Sequence, residues 1–136
     1  MKDIFEIMKK ILVIEDNREI RENTVELLEL WCFQVFSAAN GKVGFQIAKK
    51  HQPDLILCDM MMPETNGWDF LKMAKADELT NHIPLIFFSA GSFIPEMRNL
   101  MLAQSDQYLA KPFSTDELLS AVQKGLSRNE TSTHLL

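Results

Sequence analysis

A fivefold alternation constrains this chain more than any other feature: a short apolar run, then a stretch with helical spacing. Lys10-Ile11-Leu12-Val13-Ile14 is rich in branched side chains and runs into two acids, as a buried central strand would. Asn17 then reads as a turn or helix N-cap. From Arg18 on, Ile20, Leu27, Leu28 and Trp31, with Thr24 between, fall on one helical face. Phe33 to Ala38 reads as a second strand. The turn signal Asn40-Gly41 opens a helix to about Lys50, with Val43, Ile47 and Ala48 as its apolar positions. Asp54 to Cys58 is the third strand, and Glu64-Thr65-Asn66-Gly67 turns into a helix carrying Trp68, Leu71 and Ala74. Pro84 to Phe88 is the fourth strand, ahead of a fourth helix from Pro95 to about Ala103 that carries Met97, Leu100 and Met101. Gln107 to Ala110 is a short fifth strand. Ser114 and Glu117 have capping-box spacing at the start of a fifth helix, whose apolar face is Leu118, Leu119, Val122 and Leu126.

Strand-then-helix repetition builds a parallel sheet covered by helices on both faces, so the fold class is α/β. Right-handed crossovers leave few topologies, and periodicity does not choose among them. A length of 136 residues fits one domain. The expected division is a domain over 8–128, an extension over 1–7 and a flexible tail over 129–136.

The net charge of −5 argues against direct contact with nucleic acid, whose phosphates select basic faces. No apolar run approaches the roughly 20 residues of a membrane span. The start does not read as a signal peptide, which makes the cytoplasm the expected location. Cys32 and Cys58 lie in apolar surroundings without metal-ligand spacing and are expected to be buried, reduced thiols. His51, His82 and His134 are scattered, as surface or loop histidines would be.

The ends of the strand runs carry the chemistry. Glu15-Asp16, Asp59, Ser89, Tyr108 and Lys111 all stand at or near carboxyl ends, the edge where open α/β sheets bind ligands. Glu15-Asp16 alone reads equally well as a solvated acidic turn. If the first and third strands are neighbours, these acids and Asp59 share a pocket, and like charges that close call for a cation. Oxygen donors without sulfur or imidazole select Mg²⁺. An aspartate can also act as a nucleophile toward phosphorus, forming an acyl phosphate. In-line displacement needs charge neutralisation on the equatorial oxygens, from Mg²⁺, the Lys111 ammonium, and the Ser89 hydroxyl with backbone N–H groups. A lysine between an apolar strand and Pro112 is not needed for packing, which makes Lys111 the stronger signal.

Four segments carry a resemblance: Ile11-Leu12-Val13-Ile14-Glu15-Asp16-Asn17, Pro53 to Pro63, Pro84 to Ala90, and Tyr108-Leu109-Ala110-Lys111-Pro112-Phe113. In order and at this spacing they resemble the receiver domain of bacterial two-component response regulators, the CheY-like family, over about Lys9 to Arg128. The resemblance implies a flavodoxin-like (βα)5 doubly wound sheet with strand order 2-1-3-4-5. It implies Asp59 as phosphoacceptor, with Lys111 pairing to it or to its phosphate. It implies Asp16 as a direct Mg²⁺ ligand beside Asp59, the Met61 backbone carbonyl as a further ligand, and Glu15 acting through water. Ser89 and Tyr108 resemble the switch hydroxyl and aromatic, and the Lys111-Pro112 bond would be cis. Glu15 and Ser89 stand where many relatives carry Asp and Thr. Gln104-Ser105 replaces a frequent Gly-Ala, which touches the local turn and not the site.

The function so implied is a stand-alone response regulator receiver. It would take a phosphoryl group from a sensor histidine kinase or phosphotransfer protein in a Mg²⁺-dependent reaction. It would switch a protein-binding surface made of the fourth helix, fifth strand and fifth helix, as a monomer or a phosphorylation-dependent dimer. It would be a signalling switch and not an enzyme, although self-phosphorylation from small phosphodonors and self-dephosphorylation are expected. A phosphorelay intermediate is the alternative. A Mg²⁺-dependent aspartyl-phosphate phosphatase or phosphotransferase is a weaker one, because Met61 occupies the position two after Asp59, where such hydrolases carry an acid.

Overall fold

In the computed structural model, residues 8–62, 66–89 and 107–134 are described. The chain forms β1 (Lys10–Ile14), α1 (Arg18–Leu30), β2 (Gln34–Ala38), α2 (Gly41–His51), β3 (Leu55–Asp59), α3 (Gly67–Ala76), β4 (Leu85–Ser89), β5 (Gln107–Ala110) and α4 (Thr115–His134). The expected helix over 95–103, the residues 1–7, and Pro63, Gly91 and Gln104-Ser105 lie outside the described residues. All strand pairs are parallel, in the order β2-β1-β3-β4-β5. This is the flavodoxin-like sheet implied by the resemblance.

Two-residue alternation along each strand sorts the apolar runs onto two faces. Leu12, Ile14, Ile56, Cys58, Leu85 and Phe87 form one core with Ala48 of α2 and Phe70, Leu71 and Ala74 of α3. Ile11, Val13, Leu55, Leu57, Ile86 and Phe88 form the other with Leu28 of α1 and Leu118, Ala121 and Val122 of α4. β1, β3 and β4 are buried on both sides, which is why their sequences are continuously apolar and not alternating. Full burial of each such side chain contributes about 1.5–3 kcal/mol.

Helix starts are set by side-chain caps. Asn17, Asn40 and Asn66 accept the N–H groups of Ile20, Val43 and Asp69 at 3.0, 2.9 and 2.9 Å. Such a cap is worth about 1 kcal/mol. The expected capping box is formed: Ser114 Oγ accepts from Glu117 N at 3.1 Å and Glu117 Oε1 accepts from Ser114 N at 3.2 Å.

Several local expectations are corrected. Cys32 is exposed and not a core thiol, because the chain leaves α1 with this residue at φ 67°, the left-handed turn that ends many helices. Cys58 is buried, and burial holds its thiol well above the usual range. Val43 is 46% exposed, since α2 meets the sheet through Gly41, Gly44 and Ala48. The backbone of α4 is helical to His134. Beyond Gly125 the chain has neither glycine nor proline to end a helix.

Gly67 lies close against backbone beside the carboxyl edge of the sheet. A Cβ there would lie 2.8 Å from Met60 Cα and 3.0 Å from the Asp59 carbonyl oxygen, both backbone atoms that cannot rotate away. Gly67→Ala is expected to destabilise by about 1–3 kcal/mol through overpacking. The check is a lower urea midpoint at unchanged m-value.

Candidate functional site

The register of β1 against β3 pairs Ile14 with Cys58, so the next residues, Glu15 and Asp59, arrive side by side at the carboxyl edge. The Glu15 N–H is anchored to the Ala38 carbonyl at 3.0 Å, and the Met60 N–H to the Phe88 carbonyl at 3.0 Å. Both carboxylates therefore stand on backbone pinned to neighbouring strands. Each has an oxygen within 4.8 Å of the other and of an oxygen of exposed Asp16. Glu15 is fully buried and Asp59 nearly so.

Lys111 answers this charge from the end of β5. Its N–H donates to the Ser89 carbonyl at 2.8 Å, which fixes the root of the side chain. Its Nζ lies 2.5 Å from Glu15 Oε1 and 3.5 Å from Asp59 Oδ2, and 4.9 Å from the centre of the Phe88 ring. The Met61 N–H donates to Asp59 Oδ1 at 3.0 Å. One Asp59 oxygen is thus held by backbone and the other faces the ammonium. The Lys111-Pro112 bond is cis.

The donor set fits a hard divalent cation. It is made of carboxylate oxygens without sulfur or imidazole. Glu15 Oε2, moreover, is buried with no hydrogen-bond partner among the described residues. Such an atom costs free energy unless something pairs with it. Burial, first, and then the hydrogen-bonding contact and charge of Asp59 push the Glu15 carboxyl up to about 8, with Lys111 pulling the other way.

The sequence-derived residues converge in part as expected. Glu15, Asp16, Asp59 and Lys111 meet at one point. Ser89 is buried at the end of β4, paired in register with Ala110. Tyr108 pairs with Phe87 and packs, half-buried, against the core shared with α2 and α3. Met61 presents a 60% exposed side chain at the mouth. Sequence reasoning missed that Lys111 sits closer to Glu15 than to Asp59; 96 residues separate the pair, and no local pattern signals it. It also missed Arg21, whose guanidinium donates to the Glu15 carbonyl at 2.7 Å and ties α1 to the acidic turn. A third omission is a cavity of about 630 Å³ beside Lys111. Ile20, Thr24 and Leu27 line it on α1, with Pro112 and Phe113 opposite.

A doubly wound sheet with acids, a lysine and a serine at its carboxyl edge defines a receiver-type fold. Residues 11–123 match the model of the response regulator receiver domain, and the chain belongs to that family. It is 35% identical over 121 residues to the phosphate regulon transcriptional regulatory protein PhoB of Pseudomonas aeruginosa, covering 88% of this chain and 52% of that protein. It is 27% identical to the polar-differentiation response regulator DivK of Brucella anthropi, covering 87% of this chain and 96% of that one. The chain spans about half the length of PhoB and of several other curated relatives it matches. Among solved structures, the chemotaxis protein CheY4 of Vibrio cholerae superposes with a TM-score of 0.81 at 28% identity, over 88% of this chain and 99% of that one. A receiver domain protein from Clostridium thermocellum gives 0.83 at 28% identity, over 91% and 98%. Among the described residues no helix is long and apolar enough to cross a membrane.

The raised Glu15 value has a sign for stability. In the unfolded chain Glu15 loses its proton near 4.5, and in the folded metal-free protein near 8. Folding therefore binds a proton between these values, and the stabilisation present below 4.5 is lost as pH rises toward 8. Glu15→Gln is expected to flatten that part of the stability profile, measured by denaturant unfolding in chelator at a series of pH values. An equally steep profile in the variant would show that Glu15 is not the group responsible.

Proposed function

We propose that this chain is a phosphorylation switch in which Asp59 accepts a phosphoryl group from a phosphohistidine donor. The observation that carries this reading is the convergence on Asp59 of two further carboxylates within 4.8 Å and the Lys111 ammonium at 3.5 Å. Buried carboxylates crowd this way at a cost unless a ligand offsets it.

The reaction follows from the contacts. The Met61 N–H holds Asp59 Oδ1, leaving Oδ2, beside Lys111, as the attacking oxygen. An O–P bond forms at Oδ2 as the N–P bond of the donor breaks, and the imidazole leaves, taking up a proton from solvent. Asp16 and Asp59, the Met61 carbonyl and, through water, Glu15 would hold Mg²⁺, which neutralises charge on the transferring phosphoryl group. Lys111 neutralises a second oxygen, and the Ser89 hydroxyl takes another. Reversal to the resting state is hydrolysis: water attacks phosphorus, the O–P bond breaks and inorganic phosphate departs. Met61, exposed beside Asp59, borders the path of that water.

The phosphoryl group adds about −1.5 to −2 charge and strong acceptor oxygens. Ser89 moves toward it, and Tyr108 turns into the space vacated next to β4. The surface of β5 and α4 is thereby biased between two states that a target protein distinguishes. The cavity between α1 and the Pro112-Phe113 segment gives a donor protein an apolar seat next to the acceptor. DivK gives a precedent for a response regulator of about this length. In a longer protein the same surface would act on an attached domain.

Acetyl phosphate with Mg²⁺ is expected to raise the intact mass by one phosphoryl group in the wild type and not in Asp59→Asn or in chelator. Equal labelling of Asp59→Asn would refute Asp59 as the acceptor. Met61→Asn is expected to change the lifetime of the phosphorylated form by a few-fold, because an amide can orient the attacking water where a thioether cannot. Decay of phosphate-labelled protein measures it, and an unchanged lifetime would remove Met61 from the water path.

A further inference from the structure

Lys111 has two acidic neighbours, and the nearer is not the phosphoacceptor. The contact to Glu15 is 2.5 Å and that to Asp59 is 3.5 Å. Neither root is free to drift. Glu15 follows β1 with its N–H on Ala38, and Lys111 follows β5 with its N–H on Ser89 and its ammonium against the Phe88 ring. Glu15 also keeps its second oxygen buried without a partner among the described residues, facing a site whose other acids are Asp16 and Asp59. One carboxylate thus serves two possible cations.

We propose that Glu15 is the resting counter-ion of Lys111 and that a divalent cation competes with the ammonium for it. Cation entry draws the Glu15 carboxylate into the acidic cluster and releases Lys111 toward Asp59 Oδ2. The lysine is then free to meet a phosphoryl oxygen only after the cation is in place. Glu15 is a positioning residue in this scheme: it acts through Lys111 and touches no reacting atom. The length of Glu15 is what makes the exchange possible. Aspartate would withdraw the carboxylate by about one bond, roughly 1.5 Å, from an ammonium whose root is fixed. The proposal rests on the reading of the three acids as a divalent site.

A double-mutant cycle tests it, with calorimetric Mg²⁺ titration and Mn²⁺ paramagnetic resonance as readouts that do not depend on phosphorylation. The titrations are repeated over a range of pH, so that a difference in carboxyl ionisation between variants is told apart from the exchange. Glu15→Asp and Lys111→Met are each expected to tighten divalent binding about fivefold or more, since each removes the same competing contact. In the double variant the gains do not multiply: Lys111→Met adds about twofold or less on top of Glu15→Asp. Full multiplication of the two gains, or weaker binding in Glu15→Asp, would overturn the proposal. Asp16→Asn separates this from failure of the underlying reading. If wild type binds no divalent cation, or Asp16→Asn binds as tightly as wild type, the acids are not the divalent site and the exchange falls with them.

Discussion

The parallel pairing of β1 with β3 is the constraint from which the rest of the molecule follows. It is a hydrogen-bonded ladder whose paired residues, Ile11 to Ile14 and Leu55 to Cys58, are buried, and its register ends by placing Glu15 next to Asp59. Two carboxylates so placed repel in a region of low dielectric. A single-residue slip would turn Asp59 to the other face and dissolve the cluster. The core residues that hold the register, such as Val13 and Leu57, are thus as much part of the site as the acids.

Lys111 is the protein's own answer to that repulsion, and an incomplete one. One ammonium faces two buried acids, and Glu15 still has an oxygen without a partner among the described residues. A buried ion pair is weak support for stability, because its desolvation cost rivals its attraction. The arrangement makes better sense as a site left unbalanced for ligands of both signs. A divalent cation relieves the excess acid, and a phosphoryl group gives the lysine a stronger partner.

Most of the architecture was legible because each strand is a continuous apolar run bounded by turn residues, and because three asparagine caps mark helix starts. The strand order was not legible from periodicity, which says which residues are buried and not which strands touch. It came from the resemblance of four motifs. The candidate site residues stood out in the sequence because polar side chains directly after buried strands have no packing reason to be there. The pairing partner of Lys111 was not, since it depends on side-chain length across β1, β3 and β5. The exposure of Cys32 was hidden for a similar reason: a left-handed turn at the end of α1 rotates an apolar-looking residue to the surface.

The account turns on Asp59 forming a covalent acyl phosphate. The most direct measurement is borohydride reduction of the protein after incubation with a phosphodonor and Mg²⁺, followed by peptide sequencing. An acyl phosphate at residue 59 is reduced to homoserine at that position, in donor-treated protein and not in the untreated control. Homoserine at Asp16, 2-amino-5-hydroxyvaleric acid at Glu15, or neither product while phosphate is retained, would contradict the account.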